Sequence, residues 1–162
     1  MDIKRQRQAA AAFASKWAAR GYEKGDTAPF WLEFLRECLG VADPDAIARF
    51  EQRTDAGYPD VTIPDTGVII EQKSLGVDLD RPEPRQGRQV TPYEQALGYA
   101  QSLPPSQQPR FIITCNFQAF RIYDRELDQS GQTYTQVELA ELTGQIHLFD
   151  FITDPSNSRI ER

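Results

Sequence analysis

The sequence contains no apolar run that approaches the roughly 18 residues needed to span a membrane. Near the N-terminus, the apolar stretch of residues 9–14 is short and rich in alanine, and Ser15 and Lys16 follow it directly. This pattern predicts an amphipathic helix rather than a secretory signal. We therefore expect a cytoplasmic protein that makes no contact with a membrane.

Cysteine and histidine are scarce, with only Cys38, Cys115 and His147 in the chain. Both cysteines lie in apolar segments, which predicts buried thiols rather than a disulfide. A single histidine with no cysteine pair at ligand spacing does not provide the four ligands of a structural zinc site. The sequence also indicates neither a Ser-His-Asp triad nor a Cys-His pair.

The sequence has fewer basic than acidic residues, 18 against 24, and its net charge is -6. Proteins that hold duplex DNA unaided usually present a basic face, because phosphate neutralisation supplies much of their affinity. A DNA-binding role therefore requires either that the basic residues cluster or that another domain provides most of the grip.

The residues that are present predict one α/β domain. A chain of 162 residues with 40% hydrophobic content suits a single core. Helices are predicted from Asp2 to Gly21, from Pro29 to Gly40 and from Asp43 to about Glu51, with Asp2 and Asp43 as caps. The second helix carries one apolar stripe, formed by Phe30, Trp31, Phe34, Leu35 and Cys38.

After residue 57 the apolar period changes to that of strands. Strands are predicted at residues 58–63, 68–73, 110–115, 119–124 and 133–137. A tight turn joins the first two, residues 74–90 are predicted to form a loop, and a helix runs from Thr91 to about Ser102. The expected fold is a mixed central sheet flanked by helices. We divide it into a helical part (1–51), a catalytic core (58–138) and a C-terminal extension (139–162).

Three charged side chains are predicted to converge on the first hairpin. Glu71 and Lys73 stand two residues apart on one strand and so share a face, while the turn brings Asp60 alongside. Asp60, Glu71 and the backbone carbonyl of Gln72 are the oxygen ligands that Mg²⁺ prefers, and Mn²⁺ can substitute for it. Lys73 would orient or deprotonate a water, or stabilise transition-state charge, in phosphodiester hydrolysis.

A simpler interpretation exists, because acid–base pairs on strands often only decorate a solvated face. Two features favour the catalytic one. Residues 68–70 form a continuous apolar run, which indicates a central strand where charges are costly without a role. Asp60 also follows Pro59 one hairpin away.

These residues carry a resemblance to a known family. Pro59-Asp60 followed by Glu71-Gln72-Lys73 resembles the PD-(D/E)XK nuclease signature. More closely, about residues 20–151 resemble the N-terminal endonuclease domain of the large, MmeI-like (type IIG/IIL) single-chain restriction–modification enzymes. The segments that carry this likeness are residues 21–25, 30–33, 70–80, 91–96, 114–117 and 120–124.

The resemblance implies a restriction-endonuclease-like core and an Mg²⁺-dependent endodeoxyribonuclease acting in phage defence. It also implies double-stranded DNA as partner, with two copies meeting in a transient homodimer to cut both strands. The chain has no Asn-Pro-Pro-Tyr motif and no glycine-rich loop for S-adenosylmethionine. We therefore expect a domain excised from a fused enzyme, whose other domains grip the DNA. The alternatives are a catalytically silent docking module and a stand-alone repair or phage-defence nuclease.

Further residues are candidates for supporting roles, each against the alternative of ordinary surface or packing. Gln95 and Tyr99 lie one helical turn apart and resemble an element that shapes the site in some nucleases of this superfamily. Glu33 could complete the metal shell from a helix. Asp78 and Asp80 follow the catalytic strand, and the DNA-phosphate candidates are Arg81, Arg85 and Arg88.

Overall fold

The computed structural model describes residues 1–51 and 57–154, and its centre is a six-stranded sheet in the order β1-β2-β3-β6-β7-β8. Strands β3 and β6 run parallel, whereas every other neighbouring pair is antiparallel, so the sheet is mixed as predicted. The strands are β1 (Arg49–Phe50), β2 (Val61–Ile63), β3 (Val68–Gln72), β6 (Phe111–Cys115), β7 (Ala119–Asp124) and β8 (Thr135–Glu138). A separate hairpin consists of β4 (Glu83–Arg85) and β5 (Arg88–Val90).

Helices flank this sheet and confirm the predicted fold class. They are α1 (Ile3–Trp17), α2 (Glu23–Glu33), α3 (Pro44–Ile47), α4 (Pro92–Ser102) and α5 (Leu142–Gln145). A π-helical turn (Phe34–Cys38) continues α2, and a 3₁₀ segment (Ile146–Ile152) follows α5. None of the helices in the described part of the chain combines the length and apolar character that crossing a membrane requires.

One face of the sheet packs against α1, α2 and the C-terminal helical segment to form the larger hydrophobic core. The predicted apolar stripe of α2 and its π-helical turn is fully buried there, and both cysteines are buried free thiols, as expected. The strand side chains on this face are Val61, Ile63, Val68, Ile70, Phe111, Ile113, Cys115, Phe120, Ile122 and Val137.

The opposite face of the sheet packs against α4 in a smaller cluster. Ile69, Ile112 and Tyr123 meet the buried side chains of that helix, which are Tyr93, Ala96, Tyr99 and Ala100. Side chains alternate between faces along a strand, so Glu71 and Lys73 emerge on this same side as Ile69. The smaller cluster therefore ends where the two charged residues begin.

The predicted helix boundaries were correct for α4 and wrong in part for the first three helices. Thr91 caps α4, and Glu94 completes a capping box. In contrast, α1 ends at Trp17 and α3 at Ile47, earlier than predicted, and α2 begins at Glu23 rather than Pro29.

The early start of α2 has a local cause. Glu23 and Asp26 place negative charge in its first turn, and the Asp26 carboxylate accepts a hydrogen bond from the Tyr22 amide at 2.9 Å. Acidic groups at this end stabilise a helix through its dipole. Pro29 is thus tolerated inside the helix, where its lack of an N–H removes one hydrogen bond.

The prediction of a loop over residues 74–90 was wrong for its second half, which forms the β4–β5 hairpin. Gln86 and Gly87 connect these strands, and both have positive φ, at 53° and 78°. Two such residues form the tight turn that matches the twist of a hairpin. The last eight residues of the predicted C-terminal extension (155–162) lie outside the described residues.

Candidate active site

The catalytic strand β3 brings Glu71 and Lys73 together on the α4 side of the sheet. The Glu71 side chain is 4% exposed and that of Lys73 10%, and Lys73 Nζ lies 3.5 Å from Glu71 Oε2. Lys73 follows the last residue of β3, and its backbone N–H donates to the Cys115 carbonyl at 2.7 Å. The predicted pairing of these two side chains is therefore present, and both side chains are almost fully buried.

The β2–β3 hairpin places Asp60 beside the end of β3. Asp60 directly precedes β2, and its Oδ2 accepts a hydrogen bond from the Gln72 amide at 2.7 Å. The N–H and C=O of one strand residue point to the same side, so the Gln72 carbonyl emerges toward Asp60. The Asp60 carboxylate thus lies at the end of β3, next to the residues that follow Glu71 in the strand.

The side chain of Gln72 fixes this end of the strand from the other face. Its Oε1 accepts from Trp31 Nε1 at 2.7 Å, and its Nε2 donates to the carbonyls of Lys73 and Cys115 at 3.0 and 3.2 Å. All of these groups are buried, where an unmet hydrogen bond is costly. The backbone that carries Glu71 and Lys73 is therefore held rigidly.

Burial makes ionisation of the two carboxylates unfavourable. Burial, the largest cause, and the charge of Glu23 together raise the pKa of Asp60 to about 6, against the lowering effects of the Gln72 amide and Lys73. Burial also raises the pKa of Glu71 well above its usual range, with the Asp60 charge as the next cause. Lys73 and Arg85 oppose this rise only in part. Carboxylates in such surroundings favour a bound cation.

The two carboxylate oxygens of Glu71 have different surroundings. Oε1 is buried without a hydrogen-bond partner among the described residues, while Oε2 faces Lys73. Within the same residues, no group of three or more histidine, cysteine, aspartate or glutamate side chains lies at metal-binding spacing. Mg²⁺ is commonly held by one or two carboxylates, with water and substrate phosphate completing its shell. Asp60, Glu71 and the Gln72 carbonyl are oxygen groups of the kind that such a site uses.

Helix α4 adds the predicted Gln95 and Tyr99 to the site. Lys73 Nζ donates to Gln95 Oε1 at 3.2 Å, and Gln95 Nε2 donates to Tyr99 Oη at 3.2 Å. Burial raises the pKa of Tyr99, so its hydroxyl stays protonated. Because the two residues lie one helical turn apart, their side chains are neighbours on α4, and Gln95 connects Tyr99 to Lys73.

The β4–β5 hairpin brings one of the three arginine candidates to the site. Arg85 Nη2 donates to Tyr99 Oη at 2.7 Å, and its charge acts on Glu71. Arg81 and Arg88 are exposed, and in the described part of the chain neither side chain contacts the site residues. Sequence proximity alone could not separate the three, because the hairpin was not predicted.

The remaining predicted candidates have other partners. Glu33 accepts from Lys16 Nζ and from Trp17 Nε1, both at 2.8 Å, and so joins α2 to α1. Asp80 pairs with the Arg121 guanidinium at 2.6 and 3.0 Å, which lowers the pKa of that carboxyl. Asp78 accepts from the Asp80 amide at 2.8 Å. The structure does not bring these three acids to Asp60 and Glu71.

Two acids at the site were missed from the sequence. Glu23, at the start of α2, acts electrostatically on Asp60, and its amide donates to Ser74 Oγ at 3.1 Å. Glu83, on β4, has Oε2 at 3.7 Å from Lys73 Nζ. Glu33 was predicted as the helical acid, and Glu23 was missed because α2 was expected to start at Pro29. Glu83 gave no signal, since it lay within the predicted loop.

Comparison with known proteins gives one match. The family model described as MmeI, N-terminal domain, covers residues 8–162 of this chain. No curated protein matches the chain. No solved structure matches it either.

Proposed function

The chain belongs to the MmeI N-terminal domain family, whose members are restriction-enzyme-related domains, and on this basis we propose that it is an Mg²⁺-dependent DNA endonuclease domain. Its active centre is of the PD-(D/E)XK type and consists of Asp60, Glu71 and Lys73. The observation that carries this proposal is the buried Glu71 Oε1, which has no hydrogen-bond partner among the described residues and lies beside a second carboxylate. A divalent cation satisfies both groups at once.

Asp60, Glu71 and the Gln72 carbonyl hold the metal in this proposal. When bound, Mg²⁺ supplies a Lewis acid that neutralises phosphate charge and lowers the pKa of a coordinated water. The rigid end of β3, fixed by the Gln72 side chain, keeps these oxygens in place before substrate arrives.

Lys73 acts on the attacking water and on the reacting phosphate. Its side chain is almost fully buried and is oriented by Glu71 and Gln95. Water therefore screens the charge of the ammonium only weakly. From this position it holds the water for in-line attack and stabilises negative charge that develops on the phosphate oxygens.

The substrate that we propose is double-stranded DNA, and the compartment is the cytoplasm. The net charge of -6 supports a division of labour in which other domains of a fused restriction–modification enzyme provide most of the DNA grip. One active centre cuts one strand, so cleavage of both strands uses two copies that meet transiently on DNA.

Calorimetric titration of Mn²⁺ and Mg²⁺ into the wild-type chain and Asp60→Ala, paired with nicking of supercoiled plasmid, tests this function. We expect metal binding in the wild type, its loss in the variant, and metal-dependent nicking by the wild type at high enzyme concentration. Metal binding without nicking would refute nuclease activity for this chain and favour a docking module that retains the centre. Absence of metal binding in the wild type would refute the metal site itself.

A further inference from the structure

Two cationic side chains, Lys73 and Arg85, reach the candidate site. They differ in how many acceptors their N–H groups already contact among the described residues. Lys73 Nζ lies within 3.2–3.7 Å of Gln95, Glu71 and Glu83 and is nearly buried. Arg85 is exposed, and among the described residues it makes one side-chain hydrogen bond, from Nη2 to Tyr99 Oη. In the part of the chain that the structure describes, four of its five N–H groups therefore have no hydrogen-bond acceptor.

The fold orients Arg85 rather than leaving it loose on the surface. The tight turn of β4–β5 fixes the strand that carries it, and the guanidinium carbon lies 5.9 Å from the centre of the Tyr99 ring. Residues two apart on a strand share a face, so Glu83 and Arg85 both turn toward the site. Glu83 contacts Lys73 there, while Arg85 contacts Tyr99.

A glycine keeps the space around this arginine open. A Cβ at Gly57 would lie 3.2 Å from Tyr99 Cε1 and 3.6 Å from Arg85 Nη2. Gly57 has a φ of 125°, a conformation that favours glycine, and it lies three residues before Asp60. Arg85, although exposed, is thus flanked by the segment that leads to Asp60 and by the helix that carries Tyr99.

Hydrogen bonds connect the two cations across α4. The chain of contacts runs from Lys73 through Gln95 and Tyr99 to Arg85, with successive distances of 3.2, 3.2 and 2.7 Å. Both cations also act on Glu71, since each lowers the pKa of that carboxyl. Lys73 and Arg85 are therefore both close enough to influence the carboxylate that would hold the metal.

We propose that Arg85 is the residue that binds the scissile phosphate, and that Tyr99 positions it. This inference rests on the nuclease function proposed above. A planar guanidinium binds two phosphate oxygens at once, whereas the ammonium of Lys73 already faces three acceptors. Arg85 binds the phosphate oxygens directly, while Lys73, held by Gln95, Glu71 and Glu83, acts on the water and adds its positive charge beside the phosphate.

Single-turnover cleavage of plasmid DNA at saturating enzyme, with Mn²⁺, tests this assignment in three variants. Arg85→Met should lower the cleavage rate on the order of 100-fold, as expected for loss of one oriented donor to a transition state. Arg85→Lys should recover part of that rate, since it restores the charge but not the fork. Tyr99→Phe should lower the rate less than Arg85→Met, because it removes only the hydroxyl that orients the guanidinium.

The matched control is Arg36→Met, which removes an exposed arginine from the π-helical turn on the opposite face of the sheet. It should cleave at nearly the wild-type rate. Circular dichroism and calorimetric Mn²⁺ affinity should match wild type in all four variants, which separates loss of phosphate binding from loss of folding or metal.

The outcomes distinguish this assignment from the proposed function. An active wild type with equal rates for Arg85→Met and Arg36→Met would overturn the role of Arg85 and leave the nuclease function intact. Loss of Mn²⁺ binding in Arg85→Met would also overturn it, because the arginine would then support the metal site. A wild type that does not cleave would overturn the nuclease function and this assignment with it.

Discussion

Asp60 and Glu71 destabilise the metal-free fold at neutral pH, because each is more acidic in the unfolded chain than in the folded one. Burial raises the pKa of Asp60 to about 6 and that of Glu71 well above its usual range. A carboxyl group with a raised folded pKa contributes stability below its unfolded pKa and loses it as pH rises through the folded value. The site is thus organised for a ligand at the expense of stability.

Asp60→Asn should therefore stabilise the metal-free chain at pH 8. The amide keeps an oxygen acceptor for the Gln72 N–H and removes the buried charge, and we expect a gain of roughly 1–2 kcal/mol in unfolding free energy. Urea unfolding in the presence of a chelator measures this gain, which should vanish near pH 4. The control is Asp65→Asn, an exposed acid in the turn of the same hairpin. Equal effects of the two substitutions at pH 8 would contradict a specific cost at Asp60.

Lys73→Met separates catalysis from metal binding. The substitution removes the ammonium that contacts Glu71 and Gln95 but none of the proposed metal ligands. We expect plasmid nicking to fall by about 10²–10⁴-fold while Mn²⁺ still binds. The contrasting variant is Asp60→Ala, which should lose both. If Lys73→Met lost Mn²⁺ binding as well, Lys73 would have to be assigned to building the site rather than to the reaction.

At the scale of elements, the helices and strands predicted correctly were those whose sequence patterns involve only residues near one another in the chain. The strand with Glu71 was predicted from a continuous apolar run, and α4 from Thr91, Pro92 and Glu94, which form a self-contained cap. These signals depend on neighbours a few residues apart. The three predicted residues that converge, Asp60, Glu71 and Lys73, lie on one hairpin for the same reason.

The elements that were missed depend on partners distant in sequence. The β4–β5 hairpin has mainly exposed side chains, so its residues show no apolar alternation. The start of α2 is stabilised by its own acidic first turn and also by the segment after β3, where Leu75 N donates to the Gly21 carbonyl at 3.0 Å. Glu23, Glu83 and the distinct position of Arg85 could therefore not be predicted from local pattern.

The capping box of α4 should contribute measurably to stability. Thr91 Oγ1 accepts from the Glu94 amide at 3.2 Å, and Glu94 Oε1 accepts from the Thr91 amide at 2.9 Å. Thr91→Val removes the hydroxyl acceptor and should lower the unfolding free energy by about 1 kcal/mol, measured by urea unfolding. Thr135→Val on β8 is the matched control, since valine suits a strand. A loss of equal size in both variants would mean that the cap contributes little.

At the scale of the whole molecule, the two faces of the sheet differ: one carries the larger hydrophobic core and the other carries the polar site. The larger core, with α1 and α2 on one side, provides most of the apolar burial. The smaller cluster with α4 leaves room at its end for Glu71, Lys73, Gln95 and Tyr99. Stability thus comes mainly from one face and the polar site from the other, so substitutions in the site need not disrupt the larger core.

Because the site is close to the centre of the sheet, metal binding should stabilise the entire chain and do so in a pH-dependent way. At pH 8, a divalent cation present at 100 times its dissociation constant should raise the melting temperature by roughly 5–10 °C. As pH falls through about 6, protons compete for Asp60 and the increase should shrink toward zero. Differential scanning calorimetry with and without Mn²⁺ measures both values, with Asp60→Ala as the variant that should show no increase at either pH. An increase that persisted unchanged at pH 5 would show that the cation binds somewhere other than the Asp60–Glu71 pair.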